Sequence, residues 1–202
     1  MNIETLRHSL SHIMAEAVLE LFPKTKLGMG PAIENGFYYD FELPRSRTSG
    51  SLTVEDLGKI GNKMREIIAK DEKFIKKQIS KIITKKLFKD QPYKLELLKE
   101  LPGKTVTTYQ NGEFIDLCKG PHIKSTKEIN PLSFKLTKIA GAYWKGSEKN
   151  KMLTRIYGLA FETEQELKDH LKMLEEEEKR DHRKLGKDLK IFTFSDFVGP
   201  GL

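Results

Sequence analysis

An α+β fold, with a mostly antiparallel sheet and helices packed over it, is predicted for this chain by three features of its sequence. Residues 4–21 carry Leu6, Leu10, Ile13, Met14, Ala17, Val18 and Leu21 at three- and four-residue spacings, the period of an amphipathic helix. Residues 26–42 change to glycines, Pro31 and Asn35-Gly36 ahead of the run Phe37-Tyr38-Tyr39-Asp40-Phe41, which reads as strand, turn, strand. Asn111-Gly112 separates the strand-like stretches 105–109 and 113–118, the signature of a hairpin with a type I′ turn.

The remaining elements follow in order. Pro23 stops the first helix, since a proline ring offers no N–H and clashes with the preceding turn. The polar stretch 46–51, with Gly50, reads as a loop, and Thr53 with Glu55 and Asp56 behind it offers an N-cap for a second helix reaching about Ala69. Residues 79–101 read as shorter helices broken at Pro92. After the hairpin, strands are expected at 133–136, 142–144 and 155–161, before Thr163 and Glu166 form a capping box that opens a long charged helix running past Lys179. Ile191-Phe192-Thr193-Phe194 and Gly199-Pro200-Gly201 look like a new unit that starts and then stops at Leu202, so a truncated piece of a longer chain is expected.

Composition narrows the class of protein. At 202 residues, 38% hydrophobic and 32% charged, the chain can bury a core. No run approaches the roughly 18 apolar residues of a membrane span, and the N-terminus has no basic-then-apolar signal peptide. A single cysteine, Cys118, excludes an intrachain disulfide and leaves either a small buried hydrophobe or a chemically used thiol, with a cytoplasmic location expected. The net charge of +7 is unevenly placed, because residues 59–104 hold 14 Lys+Arg against 6 Asp+Glu. Such a local excess suits a phosphate backbone, and the plainer alternative is a solvated, lysine-rich helix face.

Two groups of residues carry chemistry. His8 and His12 are four apart, so on the first helix their imidazoles stack one turn above each other on one face. An H-x-x-x-H pair is a weak signal, and two surface histidines would look the same. The run Asp116-Leu117-Cys118-Lys119-Gly120-Pro121-His122 is sharper: it follows a hairpin strand, and its glycine and proline force a turn that presents side chains at a sheet end. It offers a carboxylate to orient, a thiol and an imidazole to bind or activate water, and a cation for phosphate or an oxyanion. His8, His12, Cys118 and His122 also form a three-nitrogen, one-sulfur set suited to tetrahedral zinc, and residue chemistry alone leaves the metal open. Trp144 and the run 155–158 read as scaffold, and His170 and His182 as solvated.

Five blocks, in order, resemble the editing domain of bacterial-type threonyl-tRNA synthetases: His8-Ser9-Leu10-Ser11-His12; Gly30-Pro31 through Asn35-Gly36-Phe37-Tyr38-Tyr39-Asp40; Asp116 to His122; Gly141-Ala142-Tyr143-Trp144; and Asn150 to Gly158. The resemblance covers residues 1–180 as an editing domain and leaves 181–202 as linker helix and the start of a truncated catalytic domain. The small ubiquitin-like domain that precedes this region in the family is expected to be absent, as is the aminoacylation core, so the chain alone is not expected to charge tRNA. The family's pocket residues map onto His8, His12, Tyr39, Lys94, Asp116, Cys118 and His122. On that mapping His8, His12, Lys94, Cys118 and His122 are catalytic, and Tyr39 and Asp116 bind substrate.

Two of these residues have plain alternatives. Tyr39 alternates with Phe37 and Phe41 and could be a core aromatic, and Lys94 could belong to the general basic surface. The resemblance implies hydrolysis of the ester of seryl-tRNA made on threonine tRNA, with tRNA as partner, no membrane, and a homodimeric full-length synthetase. It implies a cleft between the first helix and the sheet, where the H-x-x-x-H helix faces the C-x-x-x-H turn. It implies no cofactor for threonyl editing, although the same pairs bind zinc in the related alanyl-tRNA editing proteins. Serine lacks only threonine's methyl, a difference worth roughly 1–3 kcal/mol in an apolar pocket, hence the need for a second sieve. In that sieve His8 or His12 would hold or deprotonate water, Lys94 or His122 would steady the oxyanion and ribose oxygen, and Asp116 would bind the amino group or orient a base. The rivals are a tRNA-binding module without catalysis, a structural zinc domain, and a zinc-dependent alanyl-type editing hydrolase.

Overall fold

The computed structural model describes residues 2–44 and 52–180. The expected loop at 46–51, the linker, His182 and the run 191–194 lie outside these residues. Helix α1 (Ile3–Leu21) starts where Asn2 accepts a hydrogen bond from the Glu4 amide at 2.9 Å and ends before Pro23. It is buried nearly all round: Leu10, Ile13, Met14, Ala17 and Val18 are fully enclosed, and so are the polar Ser9, Ser11 and His12. Each large apolar side chain contributes roughly 1.5–3 kcal/mol when buried, so this helix is anchored firmly enough to carry desolvated polar groups. Helix α2 (Val54–Ala69) opens with a Thr53–Asp56 capping box and packs Ile60, Met64 and Ile67 beside α1.

Two antiparallel sheets are formed among the described residues, where the sequence suggested one. The first is five-stranded: β1 (Lys26–Leu27) and β2 (Ala32–Ile33) pair with β3 (Gly36–Glu42), which pairs with β8 (Met152–Ala160), which pairs with β7 (Phe134–Tyr143). The second is three-stranded, in the order β4 (Phe74–Ser80), β5 (Thr105–Asn111), β6 (Phe114–Leu117). Between β4 and β5 run α3 (Lys81–Leu87) and α4 (Pro92–Glu100), and α5 (Glu164–Lys179) follows the Thr163–Glu166 capping box. The antiparallel α+β class stands.

Three local readings are corrected. Residues 134–136 and 142–143 of the two expected strands belong to one strand, β7, with a register shift between Leu136 and Lys138, while Ser133 and Trp144 lie outside it. Apart from Ile139 its middle is polar or small, so it shows no regular apolar alternation, yet backbone pairing with β8 does not need one. Strand β4 lies inside the basic segment, where a lysine-rich helix face was the plainer reading; its four central residues are all exposed, and among the described residues its hydrogen-bonded partner strand is β5 alone. The hairpin loop is Gly112-Glu113, one residue beyond the expected pair, with Asn111 opposite Phe114 in the ladder. Gly112 alone has a positive φ, 53°, which is the pattern of a II′ rather than a I′ turn. Asn111 is held in the strand by its side chain, which donates to Glu16 Oε2 at 2.8 Å.

Candidate functional site

Four separate parts of the chain meet at one point: α1 brings His8 and His12, β3 brings Tyr39, α4 brings Lys94, and the end of β6 with the turn after it brings Asp116, Cys118 and His122. Cys118 Sγ is 3.3 Å from His8 Nε2 and 3.3 Å from His122 Nε2, and the His12 ring centroid is 4.2 Å from that of His122. One ligand atom from each of His8, His12, Cys118 and His122 falls within 4.8 Å of the others. The turn that makes this possible contains Gly120 at φ 75° and a cis Gly120-Pro121 bond. A Cβ on Gly120 would sit 2.2 Å from the Tyr109 hydroxyl, so glycine is required there on steric as well as conformational grounds.

Beside the cluster lies a buried polar network. Asp116 is 1% exposed and Lys94 is 2% exposed, which sets aside the basic-surface alternative for Lys94. Lys94 Nζ is 2.5 Å from Asp116 Oδ1 and donates to the Tyr39 hydroxyl at 2.8 Å, while that hydroxyl donates to Asp116 Oδ2 at 2.6 Å. The Leu117 amide also donates to Asp116 Oδ1 at 2.7 Å, and His12 Nε2 stands 3.8 Å from Oδ2. Tyr39 is a core aromatic, its ring stacked on Phe41 with a 5.0 Å centroid separation, and its hydroxyl bridges Lys94 and Asp116.

Burial sets the protonation states. Desolvation lowers the pKa of His8, His12 and His122, and the neighbouring imidazoles push the latter two down further. All three are therefore neutral near pH 7. Burial raises the Cys118 thiol to about 11, so it stays S–H rather than thiolate, and burial next to Asp116 keeps Tyr39 a hydroxyl donor. The arrangement offers neutral acceptors for a water proton together with one fixed cation, and the thiol is not poised as a nucleophile.

The four N/S donors also fit a zinc ion. The fit is one of donor type: a tetrahedral site with bonds of about 2.0–2.3 Å places its ligand atoms about 3.3–3.8 Å apart, and the four atoms here lie within the wider limit of 4.8 Å of one another. The outer nitrogens of His8 and His122 are held by the Pro121 carbonyl at 3.2 Å and by Ser9 Oγ at 3.0 Å, the kind of support that metal-bound histidines have.

Sequence reasoning missed several supporting groups: Ser9, the Pro121 carbonyl, and the rings of Phe74 and Tyr109 that flank His122 at centroid distances of 5.0 and 4.5 Å. Only the Ser9 position inside the H-x-x-x-H block could have drawn notice. Trp144 is buried against Tyr93, and Arg155 makes a two-point bond to Asp40 at 2.6 and 2.8 Å, as scaffold should. His170 is half-buried with its ring centroid 5.0 Å from that of Phe161, where solvation was expected.

One turn beyond His12, Glu16 has its carboxyl raised to about 7 by burial, against the hydrogen bond from Asn111 that favours the charged form; Glu72 and Glu20 raise it further and Lys70 lowers it. The folded state thus keeps a proton that the unfolded chain releases near 4.5, so stability is complete below that pH and falls as pH rises through about 7. Thermal unfolding of Glu16→Gln across this range should show the fall flattened.

Residues 106–157, which include Asp116, Cys118 and His122, match the family described as "Threonyl and Alanyl tRNA synthetase second additional domain". The chain is related over its whole length to the N-terminal, editing-domain part of threonine–tRNA ligases. It is 51% identical to the threonine–tRNA ligase of Dehalococcoides mccartyi strain 195 over 201 residues, covering 100% of this chain and 33% of that protein. Identity is likewise 51% to the enzyme of Thermotoga neapolitana, covering 98% of this chain and 30% of that protein, and to that of Borreliella burgdorferi strain ZS7, covering 97% and 33%. The chain spans about a third of the length of these relatives.

Proposed function

We propose that this chain is an editing deacylase that hydrolyses the ester of seryl-tRNA made on threonine tRNA. The observation that carries the reading is the meeting of His8, His12, Cys118 and His122 beside the buried Lys94–Asp116–Tyr39 network. A neutral imidazole holds the attacking water and takes its proton as the bond to the seryl carbonyl forms. Lys94 uses two of its three N–H groups on Asp116 and Tyr39, leaving the third for the oxygen on which charge develops. Asp116 supports this reading by holding Lys94 and Tyr39 in place through its two carboxylate oxygens. The test is incubation with seryl- and threonyl-tRNA charged on the same threonine tRNA, followed by measurement of free amino acid. Release of serine alone is expected, and equal release of both, or of neither, overturns the reading.

The tRNA partner would be met by the exposed lysines of β4 and α3, namely Lys76, Lys77, Lys85 and Lys86. Other cations of the segment already have partners: Lys63 and Lys70 pair with Glu20, and Lys81 donates to the Leu101 carbonyl, as Lys77 does to Gln110 Oε1. Binding should weaken as salt rises, and reversing the four exposed charges should reduce the slope of log affinity against log salt by up to about 4. A flat salt response in filter binding would make the segment a solvated surface.

The His/Cys group favours a second reading, the zinc-dependent hydrolase of the alanyl type. His8, His12, Cys118 and His122 would hold the ion, which when bound would supply Lewis acidity at this site. Metal analysis with Cys118→Ala separates the two: activity lost together with bound zinc supports the metal-dependent hydrolase, and activity lost from zinc-free protein supports the metal-free one.

A further inference from the structure

We propose that Ser9 is a positioning residue of this site, setting which nitrogen of His122 carries the hydrogen, so that a lone pair and not an N–H faces Cys118. Ser9 is fully buried on α1, on the turn between His8 and His12, and its hydroxyl has three neighbours. It lies 2.8 Å from the Thr5 carbonyl, 3.1 Å from the Ile123 amide and 3.0 Å from His122 Nδ1.

A serine hydroxyl has one hydrogen and two acceptor positions. The Thr5 carbonyl can only accept, and it is the nearer of the two groups that could take the hydroxyl hydrogen, in the usual bond from a helix serine to the residue four back. The Ile123 amide can only donate. Once those two places are filled, the one that remains is an acceptor, so His122 must offer Nδ1–H to it. Its Nε2 is then a bare lone pair aimed at Cys118 Sγ, 3.3 Å away.

The same reasoning fixes His8 without any side chain. Its Nδ1 faces the Pro121 carbonyl at 3.2 Å, which can only accept, so His8 Nε2 is also a lone pair, again 3.3 Å from Cys118 Sγ. Two lone pairs thus converge on one thiol that has a single hydrogen to give. One of the two is always left open, and an open acceptor beside Lys94 and Asp116 is what a site that handles water needs. Without Ser9, His122 could turn its Nε2–H inward and close that acceptor. The hydroxyl therefore acts on the reaction through His122 and touches no substrate.

The catalytic consequence rests on the deacylase reading, whereas the tautomer does not. The test is to label the histidines of the full chain with ¹⁵N, strip metal with chelator, and read the tautomer of His122 from long-range proton–nitrogen correlations. The parent should show Nδ1–H, Ser9→Ala should shift His122 toward Nε2–H, and Ser9→Thr, which keeps the hydroxyl, should restore Nδ1–H. Deacylation of seryl-tRNA by Ser9→Ala should show kcat lowered about 10- to 100-fold with KM nearly unchanged, the size of effect seen when an imidazole loses its outer partner. An Nε2–H tautomer in the parent, or an unchanged tautomer in Ser9→Ala, overturns the assignment. If neither variant folds, the parent spectrum alone decides. If no form of the protein deacylates, the functional reading fails while the spectra still judge Ser9.

Discussion

Replacing His8 and His12 together with alanine should lower deacylation of seryl-tRNA by about 10²- to 10⁴-fold, the usual contribution of a positioned acid–base group, and leave tRNA affinity nearly unchanged. The two imidazoles are neutral because burial makes their charged forms costly, so both are available as acceptors at pH 7. His8 Nε2 is within hydrogen-bond reach of Cys118 Sγ, and both rings pack directly against His122. The basic surface on β4 and α3 lies on other elements, so binding to the tRNA backbone should survive. Because His12 is only 3% exposed, its loss leaves a cavity, and single-turnover rates should be compared only after far-UV circular dichroism shows the variant folded. A double variant as fast as the parent would replace the deacylase with a non-catalytic tRNA-binding module.

Asp116→Ala should cost about 3–5 kcal/mol of stability in denaturant unfolding, because it leaves the Lys94 ammonium enclosed with no counter-charge. The carboxylate also takes hydrogen bonds from Tyr39 and the Leu117 amide, so three donors lose their acceptor at once. Replacing both members of the pair, Lys94→Met with Asp116→Leu, should recover much of that stability, since no unpaired buried charge remains. Activity should stay lost in the double variant, because the cation that meets the developing oxyanion is gone. Recovery of activity along with stability would reduce the pair to a structural role. A double variant no more stable than Asp116→Ala would show that the network acts through its hydrogen bonds rather than its charges.

Much of this protein was legible from short-range pattern. The helix over residues 4–21, the N-cap at Thr53, the Thr163–Glu166 capping box, the hairpin near Asn111 and the antiparallel α+β class all follow from rules that act within a few residues: helical period, cap chemistry, turn dipeptides. The juxtaposition of His8 with His12, and of Asp116, Cys118 and His122, was legible for the same reason, since each set is close along the chain. Resemblance to a family added Tyr39 and Lys94, which no local pattern would have joined to them. Long-range packing decided the rest. β4 could not be seen as a strand because its lysines face water and only β5 completes its hydrogen bonds. α1 proved buried on nearly all sides because two sheets and α2 surround it, so the amphipathic pattern understated its burial. Lys94 changed from one basic residue among 14 in residues 59–104 to an enclosed cation only because α4 sets it against Asp116, 22 residues further on. The protonation states of the histidines, and the role assigned to Ser9, depend on desolvation and on hydrogen bonds between residues more than 100 positions apart. Period and propensity are local and are written in the sequence, whereas burial and hydrogen-bond complementarity exist only after the chain has closed on itself.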